Sequence, residues 1–335
     1  MEVMRSPRPR ILFLTRTTRR DVPYFDPSSR YRCYNFAEEL RRLGCFADVI
    51  SDHALGLGMV SLYDAFVFHR PAAADWAGRA TLLERIRAEG KTVVADFDAM
   101  TFAPEDLSPF EAFTASTPAL RAALAAARPE AVVTVTPNGL SRAVVALARA
   151  AVPRTALPDG LRTISYMSGT ATHEADFAAV RSVLDAFLSR HPEYRLCVYG
   201  QLAAEREMKE QRAVVHLAQL NYRDFVRQLA HATVNIAPLA PDSAFNDAKS
   251  GLKFFESGAF GVPTVATPNS DLRRFNSPGL RLAVSPAEWE AALEELATPA
   301  GYARATAGLA DYCLANCTAA ESAAHLLGFL RGEVS

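Results

Sequence analysis

The sequence has 335 residues, half of them hydrophobic and 22% charged, which describes a folded globular protein rather than a disordered chain. That length suits two domains of about 150 residues each. The formal net charge of −1 argues against a chain built to coat nucleic acid, whose domains are usually strongly basic. The five cysteines form no CxxC pair and no zinc-ligand spacing, so we expect reduced, structural thiols and a cytoplasmic protein without a metal site.

Positive charge is concentrated at the N-terminus, where six arginines fall in the first twenty residues: Arg5, Arg8, Arg10, Arg16, Arg19 and Arg20. This segment is either a solvated tail and loop, which we favour, or a basic face that contacts anionic phospholipid at the inner membrane surface. It contains no signal-peptide core, and no apolar run approaches the roughly 20 residues that span a bilayer.

Short Val- and Ile-rich runs alternate with helical patterns along the whole chain. In the first half, buried strands are predicted at 11–15, 47–51, 65–69, 92–96 and 131–136, with helices such as 31–43 and 75–88. In the second half, strands are predicted at 163–167, 195–199, 214–217, 234–238, 263–266 and 280–284, with helices at 174–190, 222–230 and 250–260. Continuous apolar strands that alternate with helices predict parallel sheets covered on both faces.

The alternation breaks at 150–162, where two prolines and a glycine indicate an interdomain linker. We therefore predict an α/β protein with Rossmann-like domains at 1–155 and 156–315, and a C-terminal helix in 316–335 that packs back on the first domain. Two such doubly wound domains are expected to face each other across a cleft lined by the carboxyl ends of their strands.

Common α/β activities lack their motifs in this sequence. The loop after the first strand reads Arg-Thr-Thr-Arg-Arg and holds no GxGxxG fingerprint, and neither a GxxxxGK[ST] phosphate loop nor a GxSxG elbow occurs. The sequence therefore argues against an ordinary dehydrogenase, a P-loop NTPase or an α/β-hydrolase.

The most informative segment is 245–267, FNDAKSGLKFFESGAFGVPTVAT, which predicts a helix that begins near Lys249 or Ser250. On that helix Lys249, Lys253 and Glu256 share one face. The free backbone N–H groups at the N-terminus of this helix, those of Ser250, Gly251 and Leu252, are expected to bind a phosphate. Glu256, two turns on, suits ribose hydroxyls; the alternative is a solvated face with a Lys253–Glu256 pair.

The segment resembles the donor-binding helix of GT-B glycosyltransferases, particularly retaining enzymes of family 4. Glu256 matches the ribose-binding acidic residue, Gly251 and Leu252 match the diphosphate-binding turn, and 261–266 (GVPTVA) matches the ending of the motif. The resemblance implies transfer of a sugar, with retention and without a metal, from a nucleoside-diphosphate-sugar. The acceptor would be a saccharide, a lipid-linked molecule or another glycoconjugate, as in polysaccharide biosynthesis.

Other pieces resemble the same enzymes. The segment 166–177 is similar to the first strand and glycine loop of their C-terminal domain, which places Gly169, Thr170 and His173 beside the donor phosphates; His173 otherwise caps the next helix. The segments 63–71 and 94–98 are similar to strands of the N-terminal domain of the same enzymes, and 29–32 is similar to the start of the helix that follows their first strand.

Two departures from the family stand out. Its first acidic residue falls at Ala248, and its Arg…Lys phosphate pair has no cation in 168–173. We infer that Lys249 and Lys253 supply that charge as catalytic groups.

Three further groups have two interpretations each. His69, at a strand end, binds the donor sugar or the acceptor, or is structural. Asp96 and Asp98 bind acceptor hydroxyls or cap a turn. Arg30 and Arg32 face the cleft, which we favour slightly, or solvate a helix start.

Two other functions fit the same fold. A nucleotide-sugar epimerase needs an acid–base carboxylate pair. A non-catalytic sugar-nucleotide-binding or partner-binding homologue would follow from the loss of the acidic residue at 248.

Overall fold

The structure, a computed structural model, describes residues 4, 6–17, 22–76, 80–152, 156–168, 173–200, 202–217, 221–241 and 243–334. The chain forms two compact units. The first unit comprises Met1–Arg142, Ala248–Ser250 and Thr318–Ser335, and the second comprises Ala143–Asp247 and Gly251–Cys317. The division thus falls ahead of the predicted linker, of which 153–155 lie outside the described residues.

The first unit is built on a six-stranded parallel sheet in the order β2-β1-β3-β4-β5-β6. Its strands are β1 Arg10–Thr15, β2 Phe46–Ser51, β3 Ala65–His69, β4 Thr92–Phe97, β5 Ala112–Ala115 and β6 Val132–Val135. The sequence pattern predicts five of them and misses β5, because its residues, AFTA, include one large apolar side chain and so form no Val- or Ile-rich run.

The helices of this unit are α1 Pro27–Ser29, α2 Asn35–Arg42, α3 Ala73–Trp76, α4 Ala80–Ala88, α5 Pro104–Leu107, α6 Pro118–Ala127 and the C-terminal α16 Ala319–Leu330. A π-helical turn at Arg30–Tyr34 joins α1 to α2. The helices α2 and α16 pack against each other and, with Val67 and Val94, enclose one core of the unit. Because side chains alternate along a strand, His69 and Asp96 project from that same face of the sheet.

The second unit has a six-stranded parallel sheet in the order β12-β11-β10-β7-β8-β9. Its strands are β7 Arg162–Met167, β8 Tyr194–Tyr199, β9 Val214–Leu217, β10 Val234–Ala237, β11 Thr264–Ala266 and β12 Leu280–Leu282. The helices are α7 Arg142–Ala150, α8 Glu174–Ala178, α9 Arg181–Arg190, α10 Tyr222–His231, α11 Ala244–Asp247, α12 Leu252–Gly258, α13 Pro286–Ala297, α14 Pro299–Thr306 and α15 Leu309–Asn316.

In each sheet the strand order reverses at one point, because successive strands are added first on one side of the initial strand and then on the other. This reversal point lies between β1 and β3 in the first unit and between β7 and β10 in the second. Counted within the unit, the second order is 3-2-1-4-5-6, that of a dinucleotide-binding Rossmann sheet. The prediction of two doubly wound Rossmann-like domains is confirmed. The five cysteines are buried and form no disulfide. Among the described residues, no helix combines the length and apolar character that crossing a membrane requires.

Candidate functional site

A buried polar cluster lies at the carboxyl edge of the first sheet, beside the reversal point between β1 and β3. At its centre is the carboxylate of Asp96, whose side chain is 3% exposed. Arg32 donates to it from Nε at 3.1 Å and from Nη2 at 2.6 Å. The hydroxyl of Thr114 donates at 2.6 Å, and Nδ1 of His69 lies 2.9 Å away. Both carboxylate oxygens therefore have two partners each.

Arg32 is held as firmly on its other side. Its Nη1 donates to the carbonyl of Thr136 at 2.5 Å and to Oδ1 of Asn138 at 3.0 Å. Its guanidinium also lies 4.9 Å from the ring centre of Phe36. In a regular α-helix, side chains two positions apart, such as those of Arg30 and Arg32, point in directions about 200° apart. In the wider π-helical turn at Arg30–Tyr34, both arginines and the two other residues of 30–33 are nevertheless buried.

A second carboxylate, Asp98, borders the cluster. Nε of Arg70 donates to it at 2.5 Å, the hydroxyl of Ser28 donates to its other oxygen, and Nε2 of His69 lies 3.9 Å away. Arg70 has a positive φ of 50°, a backbone conformation in the left-handed region that costs energy for a residue other than glycine. Strain of this kind is typical of functional sites.

The charges fix the ionisation of both aspartates. Burial alone would raise the pKa of Asp96, but the guanidinium of Arg32 and the hydrogen bond from His69 hold that pKa well below its usual range. Burial likewise opposes ionisation of Asp98, and the nearby Arg70 lowers its pKa. Both carboxylates are therefore anionic at neutral pH.

The structure thus brings together four of the predicted residues: His69, Arg32, Asp96 and Asp98. Arg30 is also buried, and its described contacts are with aromatic residues. Its guanidinium lies 5.8 Å from the ring centre of Tyr24 and 5.5 Å from that of Tyr31, and its Nη1 donates to the carbonyl of Tyr24.

A second polar group lies at the reversal point of the second sheet, where β7 ends and α12 packs on β10 and β11. The ammonium of Lys253 lies 4.8 Å from the ring centre of Tyr166, a cation–π distance. Glu256 follows one turn later and is only 7% exposed. Burial raises the pKa of the Tyr166 hydroxyl, which keeps the ring neutral beneath the ammonium.

Two expectations about the start of this helix are wrong. The helix begins at Leu252 with Gly251 as its N-cap, so Lys249 and Ser250 precede it and belong to the first unit. Lys249 therefore shares no helical face with Glu256. The reason is a long-range contact: the N–H of Gly251 donates at 2.7 Å to the fully buried carboxylate of Asp271.

That contact also removes the Gly251 N–H from the groups that are open to a phosphate. A Cβ at position 251 would lie 2.8 Å from the ring of Phe275 and 3.1 Å from Leu272, so packing explains the glycine. Asp271 is further held by Nε of Arg274 at 2.6 Å.

His173 occupies the N-cap position of α8 but makes no side-chain cap hydrogen bond. Its Nδ1 lies 3.0 Å from Asp176 instead. The buried Asp176 also accepts from the N–H of Ala240 at 2.8 Å and from the amide of Asn246 at 3.0 Å. The predicted phosphate-loop residues Gly169 and Thr170 lie outside the described residues.

Ala248 is fully buried in a hydrophobic core of the first unit. Thr117 donates to its carbonyl at 3.0 Å. A carboxylate at this position would be buried among apolar side chains.

Comparison with solved structures relates the fold to known enzymes. AviGT4, a glycosyltransferase involved in avilamycin A biosynthesis, is 13% identical with a TM-score of 0.59 over 96% of this chain and 97% of its own. A putative UDP-N-acetylglucosamine 2-epimerase from Listeria monocytogenes is 12% identical with a TM-score of 0.55 over 97% and 96%.

The pneumococcal O-GlcNAc transferase GtfA, solved with UDP and GlcNAc, is 10% identical with a TM-score of 0.55 over 80% of this chain and 56% of its own. No protein-family model and no curated protein sequence matches the chain. The fold is thus of the GT-B class, which glycosyltransferases share with an epimerase.

Proposed function

We propose that the chain transfers a sugar from a nucleoside-diphosphate-sugar to a saccharide, lipid-linked or other glycoconjugate acceptor. The observation that carries the proposal is the position of the two polar groups, because one lies beside the reversal point of its sheet and the other lies at it. In open α/β sheets that point is where ligands bind. A fold shared with sugar-nucleotide enzymes supports this choice of chemistry.

The second unit binds the donor in this proposal. Glu256 accepts hydrogen bonds from the ribose, and Lys253 faces the diphosphate. The departing diphosphate gains negative charge as the glycosidic bond breaks, so a fixed ammonium stabilises the transition state more than the bound substrate. The scheme requires no metal ion. Leu252 and His173, which belong to the second unit, are secondary candidates for contacts with the same ligand.

The first unit supplies the other half of the chemistry. Asp98 borders the cluster and accepts acceptor hydroxyls, beside Arg70, whose side chain is 32% exposed. Arg32 and Asp96 are buried and already satisfied, so they position His69 rather than touch the acceptor. Retention of configuration, which the family resemblance implies, stays a prediction.

An epimerase is the second candidate because an epimerase shares the fold over nearly the whole chain. Such an enzyme moves protons with groups whose pKa lies near the working pH. The lowered pKa values of Asp96 and Asp98 make both carboxylates poor proton carriers there. Incubation with a nucleotide-sugar alone separates the two, since only an isomerase converts it without an acceptor.

A thermal-shift screen against UDP, GDP, dTDP and CMP compounds tests the donor assignment. A ligand at 100 times its Kd stabilises the folded chain by about 2.7 kcal/mol, so one nucleotide should raise Tm. Glu256→Ala should reduce that rise by about half or more at the same ligand concentration, whereas Glu210→Ala, in a loop of the same unit, should preserve it. If no nucleotide raises Tm, or if Glu256→Ala responds as the wild type does, the donor site is wrong.

A further inference from the structure

We propose that the aromatic side chains of Tyr24 and Phe25 form a stacking platform for a sugar ring of the acceptor, next to the ring that is glycosylated. The proposal rests on the proposed function and narrows its acceptor to a saccharide of more than one unit. Three features carry it: the exposure of the two rings, the contacts that hold them and their connection to Asp98. All of these features belong to the first unit.

Two aromatic rings lie at the surface on the short helical turn Pro23–Phe25, which follows β1 in the chain. Tyr24 is 37% exposed and Phe25 is 42% exposed, and the neighbouring Val22 is 47% exposed. Single exposed apolar side chains are ordinary, whereas adjoining ones mark binding surfaces. The turn therefore offers a small apolar surface to a ligand.

Contacts beneath the surface hold the rings in place. The Tyr24 ring packs edge to face on Phe25, with ring centres 6.2 Å apart, and on Tyr34 at 5.3 Å. The buried guanidinium of Arg30 lies 5.8 Å from the centre of the Tyr24 ring and donates to the Tyr24 carbonyl. Arg30 therefore acts as a positioning residue. Rings that are ordered before the ligand arrives lose little conformational entropy on binding.

The backbone on both sides of the rings is fixed as well. Pro23 begins the turn and Pro27 begins α1, and each proline ring restricts its own φ. Asp26, which lies before Pro27, accepts hydrogen bonds from the N–H of Ser28 at 2.9 Å and from the hydroxyl of Thr17 at 2.8 Å. The platform thus stands on a segment whose conformation is set by local contacts.

This segment leads directly to the group that binds the acceptor in the proposed function. The hydroxyl of Ser28 donates to Asp98, the carboxylate assigned to acceptor hydroxyls. Phe25 precedes Ser28 by three residues, so their backbones are at most roughly 10 Å apart. A saccharide of a few units covers that distance. An acceptor with a hydroxyl at Asp98 can therefore place a neighbouring ring on the platform.

The size and charge of this surface favour a sugar over other ligands. Two rings and a valine are far smaller than the roughly 800 Å² that each partner buries in a stable protein interface. Partial burial raises the pKa of the Tyr24 hydroxyl, and the carboxylate of Glu38 raises it further against the opposing guanidinium of Arg30. With Glu38 close to one ring and Asp26 next to the other in the chain, the charge disfavours an anionic membrane.

A pyranose has the properties that this surface matches. It is neutral, and the C–H bonds on its ring face carry weakly positive hydrogens. The face of an aromatic ring is weakly negative, so the two attract each other while both leave water. Hydroxyl groups at the edge of the sugar stay in solvent or reach Asp98.

Direct binding tests the platform without turnover. The full chain is titrated, with and without a nucleoside diphosphate, with gluco-, galacto-, manno- and N-acetylglucosamine saccharides from monosaccharide to tetrasaccharide. At least one series should bind, with Kd falling as the chain lengthens. Phe25→Ala should raise the Kd of that tetrasaccharide about 3- to 10-fold through loss of one stacking contact. Phe46→Ala is the matched control because Phe46 is 59% exposed on β2, and it should leave Kd unchanged. If no saccharide binds, or if Phe25→Ala binds as the wild type does, the platform is wrong.

Kinetic and vesicle measurements separate the other outcomes. With a donor that supports transfer, Phe25→Ala should raise KM for the tetrasaccharide about 3- to 10-fold and change kcat by less than about twofold. The rise should shrink as the acceptor shortens, and an equal rise at every length would overturn the platform. Wild type and Phe25→Ala should sediment equally with vesicles of phosphatidylcholine and phosphatidylglycerol. Loss of sedimentation in the variant alone would make the rings a membrane contact and overturn the proposal. If no donor supports transfer while saccharides still bind through Phe25, the proposed function falls and the platform stands.

Discussion

The buried pair of Arg32 and Asp96 should hold the first unit together. In Arg32→Met, Asp96 keeps its charge but loses both hydrogen bonds from the guanidinium, at 3.1 and 2.6 Å, in a site where its side chain is 3% exposed. Removing one partner of a buried ion pair costs about 3–5 kcal/mol. Arg190→Met is the matched control, because Arg190 contacts two glutamates but is 44% exposed, so its loss should cost less than about 1 kcal/mol.

Hydrogen exchange followed by mass spectrometry measures this cost locally, which matters because two units need not unfold together. Amides of β3 and β4 should exchange roughly 150- to 5,000-fold faster in Arg32→Met, since about 1.4 kcal/mol corresponds to a factor of ten. Amides of β7 and β8, in the other unit, should be unaffected. Equal protection of β4 in wild type and Arg32→Met would refute the reasoning.

The same pair predicts a pH dependence. Because the pKa of Asp96 is lowered in the folded chain, its stabilisation is complete above the ordinary aspartate pKa of about 3.9 and is lost as pH falls through the lower folded value. Without Arg32 that lowering disappears. The stability difference between wild type and Arg32→Met should therefore shrink as the pH falls below about 4. A difference that stays constant down to pH 2 would contradict the assigned cause.

Three further predictions concern the second polar group and the segment before it. Glu256→Ala should weaken binding of the nucleoside diphosphate by about 1.5–3 kcal/mol, measured by calorimetry, because a charged hydrogen-bond acceptor is lost. Lys253→Met should lower kcat more than it weakens donor binding, whereas Lys209→Met, an exposed lysine of the same unit, should change neither. Ala248→Glu, which restores the acidic residue of the family pattern, should destabilise the first unit by about 3 kcal/mol or more, because it buries an uncompensated charge.

Each of these has a clear contrary result. Calorimetric affinity within experimental error of wild type in Glu256→Ala would remove the ribose assignment. Wild-type kcat in Lys253→Met would mean that this lysine serves only its contact with Tyr166. Wild-type exchange rates around β5 in Ala248→Glu would show that position 248 tolerates a carboxylate.

Local patterns predict most of the fold because parallel strands are continuous apolar runs. The start of α12 could not be read in this way, because the residue that binds the N–H of Gly251 is Asp271, 20 positions later. The sequence likewise lists Arg32 and Asp96 as separate candidates. Their 64-residue separation hides the ion pair that makes them one structural group.

Several site residues carry no sequence signal at all. Thr114 belongs to a strand that is itself missed, and Asn138 and Asp176 stand in ordinary loop and helix contexts. Polar residues of this kind become identifiable only when the sheet order brings their strands together.

Sugar transfer itself is most directly tested by the mass of the acceptor. The chain is incubated with each nucleotide-sugar and a panel of methyl glycosides, and the products are analysed by mass spectrometry together with the nucleoside diphosphate released. We predict an acceptor heavier by one sugar residue, with one nucleoside diphosphate released per transfer. Isomerisation of the nucleotide-sugar without any change in acceptor mass, or nucleotide binding with no turnover, would contradict the account.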